Sequence, residues 1–145
     1  MTTSKPFEAI LVPVDFSPES LRALDLALAM RPADGEVTAL HVIDTELTAR
    51  IDRLGVTTHA DAVAKMRARA QEESAWLTKE KAGLAEVMIV EGVPFVEILK
   101  IAADLDIDVI VVGTRGASAS LKDLLFGGTA DKVLRGARCP VLCVP

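Results

Sequence analysis

Short apolar runs alternate with longer stretches of helical periodicity along the whole chain. The runs are rich in Val, Ile and Leu, which is typical of strands buried on both faces of a sheet. The stretches between them repeat apolar residues at the spacing of one helix face. This pattern predicts strands over residues 7–14, 37–43, 85–90, 107–112 and 140–144, and helices over 17–30, 60–81, 94–105 and 129–135.

Two longer segments between these elements lack a regular pattern. Residues 44–58 show no consistent periodicity, so we predict a loop there. Residues 113–128 contain Gly and Ser and predict a long loop, with a short apolar turn over 121–126. Ser17 and Pro18, by contrast, mark a helix start, since Ser is a good N-cap and Pro suits the first turn.

The alternation of strands and helices predicts the class of fold. Strands joined through helices form βαβ units, whose strands lie parallel in one sheet. We therefore predict an α/β fold with a five-stranded, mainly parallel sheet sandwiched by about four helices. The pattern shows no repeat or linker, which predicts a single domain over residues 1–145.

Composition and charge exclude several classes of protein. Half of the 145 residues are apolar, with four Phe and one Trp as the aromatic residues, which excludes a disordered chain. No apolar run approaches the roughly 20 residues that cross a bilayer, and residues 1–9 lack the pattern of a signal peptide. A net charge of −5 and the absence of Tyr argue against a nucleic-acid surface. We expect a cytoplasmic protein that binds neither membranes nor nucleic acid.

The two cysteines also fit a cytoplasmic protein. If the segment CPVLC (139–143) is a strand, Cys139 and Cys143 lie on one face of it, about 13 Å apart, which is too far for a disulfide. A CxxxC spacing without a further Cys or a nearby His is not a zinc motif. We therefore expect two reduced thiols that pack in the interior, and no metal site.

The residues that follow the predicted strands are the first candidates for chemistry. In open α/β sheets, ligands bind outside the carboxyl ends of the strands, where the strand order reverses. Pro13, Val14 and Asp15 stand at the end of the first strand. The Asp15 carboxylate can accept hydrogen bonds from sugar hydroxyls or a base amino group, or it can cap the following turn. Position alone leaves both roles open.

A glycine-bearing loop follows the fourth strand. Gly113 and Gly116 are followed, after ten further residues, by Gly127, Gly128 and Thr129 at a helix start. Glycines let backbone N–H groups approach phosphate oxygens, and a helix N-terminus adds free donors and partial positive charge. The loop is neither a Walker A motif nor a GxGxxG fingerprint. From spacing alone, ordinary turn chemistry is the simpler interpretation.

Together these segments resemble the universal stress protein family, in its single-domain, nucleotide-binding branch. The resemblance spans nearly the whole chain and implies a Rossmann-like fold of the adenine nucleotide alpha hydrolase type. The segments that carry it are AILVPVDFS (9–17), LHVID (40–44), EGVP with Ile98 (91–98), DVIVVGTRG (108–116) and LLFGGTADKVLRGARCPVLCVP (124–145).

The resemblance implies a bound adenine nucleotide, ATP or AMP/ADP, with or without Mg2+. By this resemblance Asp15 would hold the adenine or ribose end, and Val42 would contact adenine through its backbone. Val112 and Gly113 would line the ribose, and the later glycines with Thr129 would wrap the phosphates. The candidate nucleotide-binding residues are Pro13, Val14, Asp15, Val42, Val112, Gly113, Arg115, Gly116, Gly127, Gly128 and Thr129.

The phosphate-binding pattern of that branch is G-x2-G-x9-G followed by Ser or Thr, and this chain departs from it in two ways. Ten residues separate Gly116 from Gly127, and Gly128 then stands at the Ser/Thr position. This register keeps Pro140 where the family has its strand-five proline. The alternative register pairs Gly128 with Thr129, which restores the hydroxyl but displaces the downstream match.

Other polar residues have plainer interpretations. We expect His41 to form a hydrogen bond at a strand end and His59 to be solvated. Arg115, Lys122 and Lys132 flank the glycine loop and either neutralise phosphates or stay exposed. No nucleophile, base and orienting group stand together in the pattern, so we do not expect an efficient enzyme. The resemblance allows slow hydrolysis of a bound nucleotide.

The last predicted strand is apolar, and no helix follows it in the sequence to cover its edge. The resemblance implies a two-fold dimer made by pairing such strands, and we predict a homodimer through Val141–Val144. The alternative function is a dimeric regulatory or interaction protein of the same fold that binds no nucleotide. A phosphoacceptor receiver domain fits poorly, since the first strand is followed by the single acid Asp15.

Overall fold

Five strands and five helices alternate along residues 7–114 and 128–145, the parts of the chain that the structure, a computed structural model, describes. The strands are β1 (Ala9–Pro13), β2 (Glu36–Asp44), β3 (Leu84–Gly92), β4 (Val109–Gly113) and β5 (Val141–Val144). The helices are α1 (Pro18–Met30), α2 (Thr45–Arg53), α3 (His59–Glu80), α4 (Pro94–Asp104) and α5 (Thr129–Gly136). The short apolar turn predicted over 121–126 lies outside the described residues.

The five strands form one parallel sheet in the order β3-β2-β1-β4-β5. The chain builds outward from β1 to β2 and β3, and then returns to place β4 on the other side of β1. This order confirms the predicted parallel α/β fold. The reversal puts a topological switch point between β1 and β4, where open sheets of this kind bind ligands.

Side chains alternate along the strands and form two cores, one on each face of the sheet. On one face, β-strand residues such as Ile10, Val12 and Val111 pack against α1 and α3, including Leu24 and Leu77. All five of these side chains are fully buried. The opposite face packs against α4 and α5, and its buried residues are Leu11, Leu40, Ile98, Ala102, Ile107, Ile110, Val112 and Val133. Burial on both faces explains the continuous apolar strands of the sequence.

Helix α2 corrects the prediction of a loop over residues 44–58. Its one fully buried side chain is the polar Thr48, and Leu47 is 41% exposed, so its few apolar residues do not mark a helix that packs on the core. Capping stabilises this helix instead, since Asp44 Oδ1 accepts hydrogen bonds from the N–H groups of Glu46 (3.0 Å) and Leu47 (3.2 Å). Basic residues in its last turn add a favourable interaction with the helix dipole.

Helix α3 is 22 residues long and amphipathic. Ala70 and Leu77 are buried against the sheet, as their spacing predicts. Trp76, whose place the spacing does not fix, is 50% exposed on the outer face of the helix. None of the helices within residues 7–114 and 128–145 is long and apolar enough to cross a membrane.

The two thiols are free, as predicted. Cys139 and Cys143 are both partly buried against the core that α4 and α5 cover. Burial raises the pKa of the Cys139 thiol, because a thiolate loses solvation there. Packing is therefore the role that the structure gives them.

Asp108, just before β4, ties the start of β1 to its neighbour. Its Oδ2 accepts hydrogen bonds from the backbone N–H groups of Glu8 (3.1 Å) and Ala9 (2.9 Å), while its own N–H donates to the Ala9 carbonyl (2.8 Å). We expect Asp108→Ala to lower the free energy of unfolding by about 1–3 kcal/mol, because two partly buried donors lose their acceptor. Urea denaturation measures this loss.

The control for that experiment is Asp104→Ala, at the exposed end of α4. It removes a carboxylate of the same type, and we expect a change within about 0.5 kcal/mol. Equal effects of the two substitutions would show that Asp108 does not hold the start of β1.

Candidate functional site

The carboxyl edge of the sheet opens between β1 and β4. These two strands pair at Ile10 with Val109 and at Leu11 with Ile110. Their ladder stops there, although β1 runs on to Pro13 and β4 runs on to Gly113. On its other side β1 stays paired with β2 up to Pro13. The backbone pairing of β1 with β4 therefore ends short of the carboxyl edge, and we call the space beyond it, at the switch point, the crevice.

Asp15 lies exposed at this edge, in the turn between β1 and α1. Its Oδ1 accepts hydrogen bonds from the Ser17 backbone N–H (3.0 Å) and from the Ser17 hydroxyl. The Ser17 side chain in turn accepts from Ser20 N–H (3.3 Å) and caps α1. The sequence left two roles open for Asp15, and its hydrogen bonds from Ser17 are the turn-capping role. An exposed carboxylate at the crevice is also placed to accept from a ligand.

Pro13, Val42 and Val112 reach the same edge, and their side chains are directed into the protein. Pro13 is buried and is the last residue of β1, as expected of a residue that lacks a ladder donor. Val112 is 4% exposed, and Val42 packs partly buried against the α4/α5 core. A ligand in the crevice can therefore meet their backbone and only the edges of their side chains.

Gly113 ends β4 where the first turn of α1 crosses it. A Cβ added at Gly113 would stand 2.9 Å from the carbonyl carbon of Glu19 and 3.0 Å from the Ser20 nitrogen. Both are backbone atoms, so no side-chain rotation relieves the contact. The glycine therefore lets α1 approach β4, and it fixes the position of the turn that carries Asp15.

Gly128 and Thr129 begin α5, which packs on the α4 side of the sheet. Gly128 is the N-cap and makes no side-chain cap hydrogen bond, while its carbonyl accepts from Lys132 N–H (3.2 Å). Among residues 7–114 and 128–145, a Cβ added at Gly128 would meet nothing within 4 Å. Open space in front of a helix N-terminus is what the approach of an anion requires.

Three of the candidate residues, Arg115, Gly116 and Gly127, lie outside the described residues, as does Lys122. Of the basic residues predicted to flank the loop, the structure places Lys132 on the first turn of α5. Its Nζ lies over the ring of Phe95 on α4, 5.1 Å from the ring centroid. This cation–π contact, which spacing along one chain segment cannot reveal, gives Lys132 a partner other than a phosphate.

A second contact that the sequence did not predict joins the end of the chain to the crevice. Arg22 on α1 donates from Nε (3.1 Å) and Nη2 (2.9 Å) to the backbone oxygen of Pro145. Thr114 N–H, directly after β4, donates to the Val144 carbonyl (2.9 Å). The last residues of the chain therefore hold both α1 and the start of the loop that follows β4.

The two histidines differ in how well the sequence predicted them. His41 forms the expected hydrogen bond at a strand end, with its Nδ1 2.8 Å from the Val14 carbonyl oxygen. His59 is exposed, as predicted, but its Nδ1 also lies 2.8 Å from the hydroxyl of the buried Thr48 on α2, a partner that the sequence did not reveal. Within the described ranges, no group of three or more His, Cys, Asp and Glu side chains could hold a metal ion.

The sheet order and the crevice define a Rossmann-like α/β protein. The model of the universal stress protein family matches residues 6–145. The chain is also 32% identical to universal stress protein MJ0531 of Methanocaldococcus jannaschii over 148 residues, which covers 95% of this chain and 82% of that one. The chain belongs to the universal stress protein family.

Solved structures share the fold. Protein MJ0577, a universal stress protein of the same organism, superposes with a TM-score of 0.80 at 30% identity and covers 95% of each chain. A universal stress protein in complex with cAMP gives 0.59 at 22% identity, over 97% of this chain and 98% of that one. A family member from Arabidopsis thaliana with AMP bound gives 0.61 at 18% identity, over 93% and 89%.

Proposed function

We propose that this protein binds an adenine nucleotide, ATP or AMP/ADP, in the crevice between the carboxyl ends of β1 and β4. The observation that carries the proposal is the early end of the β1–β4 ladder, which opens the switch point beneath Asp15. Open space at Gly128 supports it on the opposite side. The cAMP and AMP complexes of two distant family members support the choice of ligand.

The base and sugar would be held mainly by backbone groups and one carboxylate. Val42 would contact adenine through its backbone, and Asp15 would accept from the base or the ribose hydroxyls. Val112 and Gly113 would line the ribose, beside Pro13 and Val14. Phe16 is the one aromatic residue of this edge of β1, so aliphatic walls replace an aromatic stacking platform.

The phosphates would lie against the start of α5. Free N–H groups of its first turn and the Thr129 hydroxyl would donate to phosphate oxygens. Arg115, Gly116 and Gly127 would complete this cradle from the loop, and Gly128 would allow close approach. Mg2+ would arrive with the phosphates of ATP.

The role we propose is regulatory binding in a stress response by one cytoplasmic domain, and not catalysis. A nucleotide held this way reports its own concentration, since the fraction of occupied sites rises with ligand concentration around the Kd. Mass spectrometry of small molecules released from the purified, heat-denatured protein tests the binding. We expect an adenine nucleotide; its absence, together with no thermal shift on adding ATP, would contradict the proposal.

We also propose that the protein forms a homodimer through the free edge of β5. Ile110 N–H donates to the Pro140 carbonyl and Thr114 N–H to the Val144 carbonyl, so even-numbered residues of this segment face β4. The backbone groups of Val141 and Cys143 therefore face outward. A second copy of β5 would pair with them and extend the sheet.

Cys143→Pro tests this dimer, because it removes an outward N–H and leaves the pairing with β4 in place. Cys143→Ala is the matched control, since it shortens the same side chain and keeps the N–H. We expect a dimer mass for wild type and the alanine variant in light scattering at micromolar concentration, and a monomer mass for the proline variant. A monomeric wild type would refute the dimer.

A further inference from the structure

Strand β2 holds both backbone groups of Val14, the residue before Asp15. Val14 N–H donates to the Leu40 carbonyl (2.8 Å). The Val14 carbonyl oxygen lies 2.8 Å from His41 Nδ1. A carbonyl can only accept, so His41 Nδ1 carries the proton and donates it. Val14 is 3% exposed, which leaves little water to replace that donor.

His41 also contacts the residue after Asp15. Its ring centroid lies 4.8 Å from that of Phe16, with the ring planes tilted by 36°. Phe16 has a φ of 64°, in the left-handed region. This conformation is unfavourable for a bulky residue, and it persists when surrounding contacts enforce it. The His41 ring and the core on the α1 side supply those contacts.

We propose that His41 is a positioning residue for the nucleotide site: it fixes the residues on both sides of Asp15 and thereby presents the Asp15 carboxylate to the ligand. This inference rests on the proposed nucleotide binding and deepens it. With the turn already in its bound shape, the ligand does not have to order it, and affinity rises for that reason.

Two substitutions at one position separate positioning from mere packing. His41→Leu fills a similar volume but cannot donate to the Val14 carbonyl, whereas the side-chain amide of His41→Asn can. Calorimetric titration with ATP is expected to show binding about tenfold weaker for His41→Leu and within about threefold of wild type for His41→Asn. Titrations are run well below the melting temperature of each variant, so that all proteins are folded.

The Asp15→Asn background shows whether His41 acts through Asp15. Residues that act through one another give non-additive effects, so His41→Leu should weaken ATP binding much less in that background than in wild type. Equal effects in both backgrounds, or a His41→Asn variant as weak as His41→Leu, would overturn the inference. A wild type that binds no ATP would overturn the proposed function itself, whereas a wild type that binds with His41→Leu unchanged overturns only the role of His41.

Discussion

Gly113→Ala should lower the free energy of unfolding by about 1–3 kcal/mol, the usual cost of inserting a methyl group into a packed site. The new Cβ would stand within 3.0 Å of two backbone atoms in the first turn of α1. That turn must then move away from β4, and Asp15 moves with it. Nucleotide binding should weaken in the same variant, because Asp15 shifts away from the residues at the end of β4.

Gly128→Ala is the matched control, with the same chemical change at the other side of the crevice. Its Cβ meets no atom of the described residues within 4 Å, so we expect the free energy of unfolding to change by no more than about 1 kcal/mol, the scale of an N-cap substitution. ATP binding should still weaken, because the methyl group would occupy the space meant for phosphate. If wild type and Gly113→Ala gave the same unfolding curve, the close approach of α1 to β4 would not require a glycine at position 113.

Asp15→Ala is the second substitution with a large expected effect, and here the loss is in binding. Charged hydrogen bonds contribute about 1.5–3 kcal/mol each, so affinity for ATP should fall by about 10- to 100-fold. The Ser17 N–H and hydroxyl also lose their acceptor, which loosens the turn before α1. Isothermal titration of wild type and variant measures the difference.

Asp15→Asn separates the loss of the negative charge from the loosening of the turn before α1. The asparagine oxygen still accepts from Ser17 N–H, so the turn is retained while the negative charge is removed. We expect an affinity between those of wild type and the alanine variant. An Asp15→Ala protein that binds ATP as tightly as wild type would remove Asp15 from the site.

The fold was predictable because the three central strands, β1, β2 and β4, are buried on both faces. Val109 and Val111 face one core while Ile110 and Val112 face the other, so β4 reads as one uninterrupted apolar run. Such runs, separated by helical periodicity, admit few arrangements other than a parallel sheet between helices. Helix α2 was missed because it is short, its one fully buried side chain is the polar Thr48, and its N-cap Asp44 is also the last residue of β2.

The candidate site was predictable in its location but less so in its contacts. Asp15 lies at the predicted edge, and the spacing DFS already holds the signal for its hydrogen bonds to Ser17, since Asp commonly accepts from the residue two positions on. The contact of Lys132 with Phe95 joins helices that are distant in sequence, and no local pattern encodes it. The close approach of α1 to Gly113 was missed for the same reason, since the sequence suggested only a turn or a ligand contact at that glycine.

The most direct test of nucleotide binding is a calorimetric titration of the nucleotide-free protein with ATP. The geometry of the crevice predicts saturable binding at one site per chain, with much weaker binding of GTP, because backbone groups at Val42 and the Asp15 carboxylate would recognise the adenine edge. Absence of binding heat at several temperatures would contradict the proposal, and so would equal affinity for ATP and GTP.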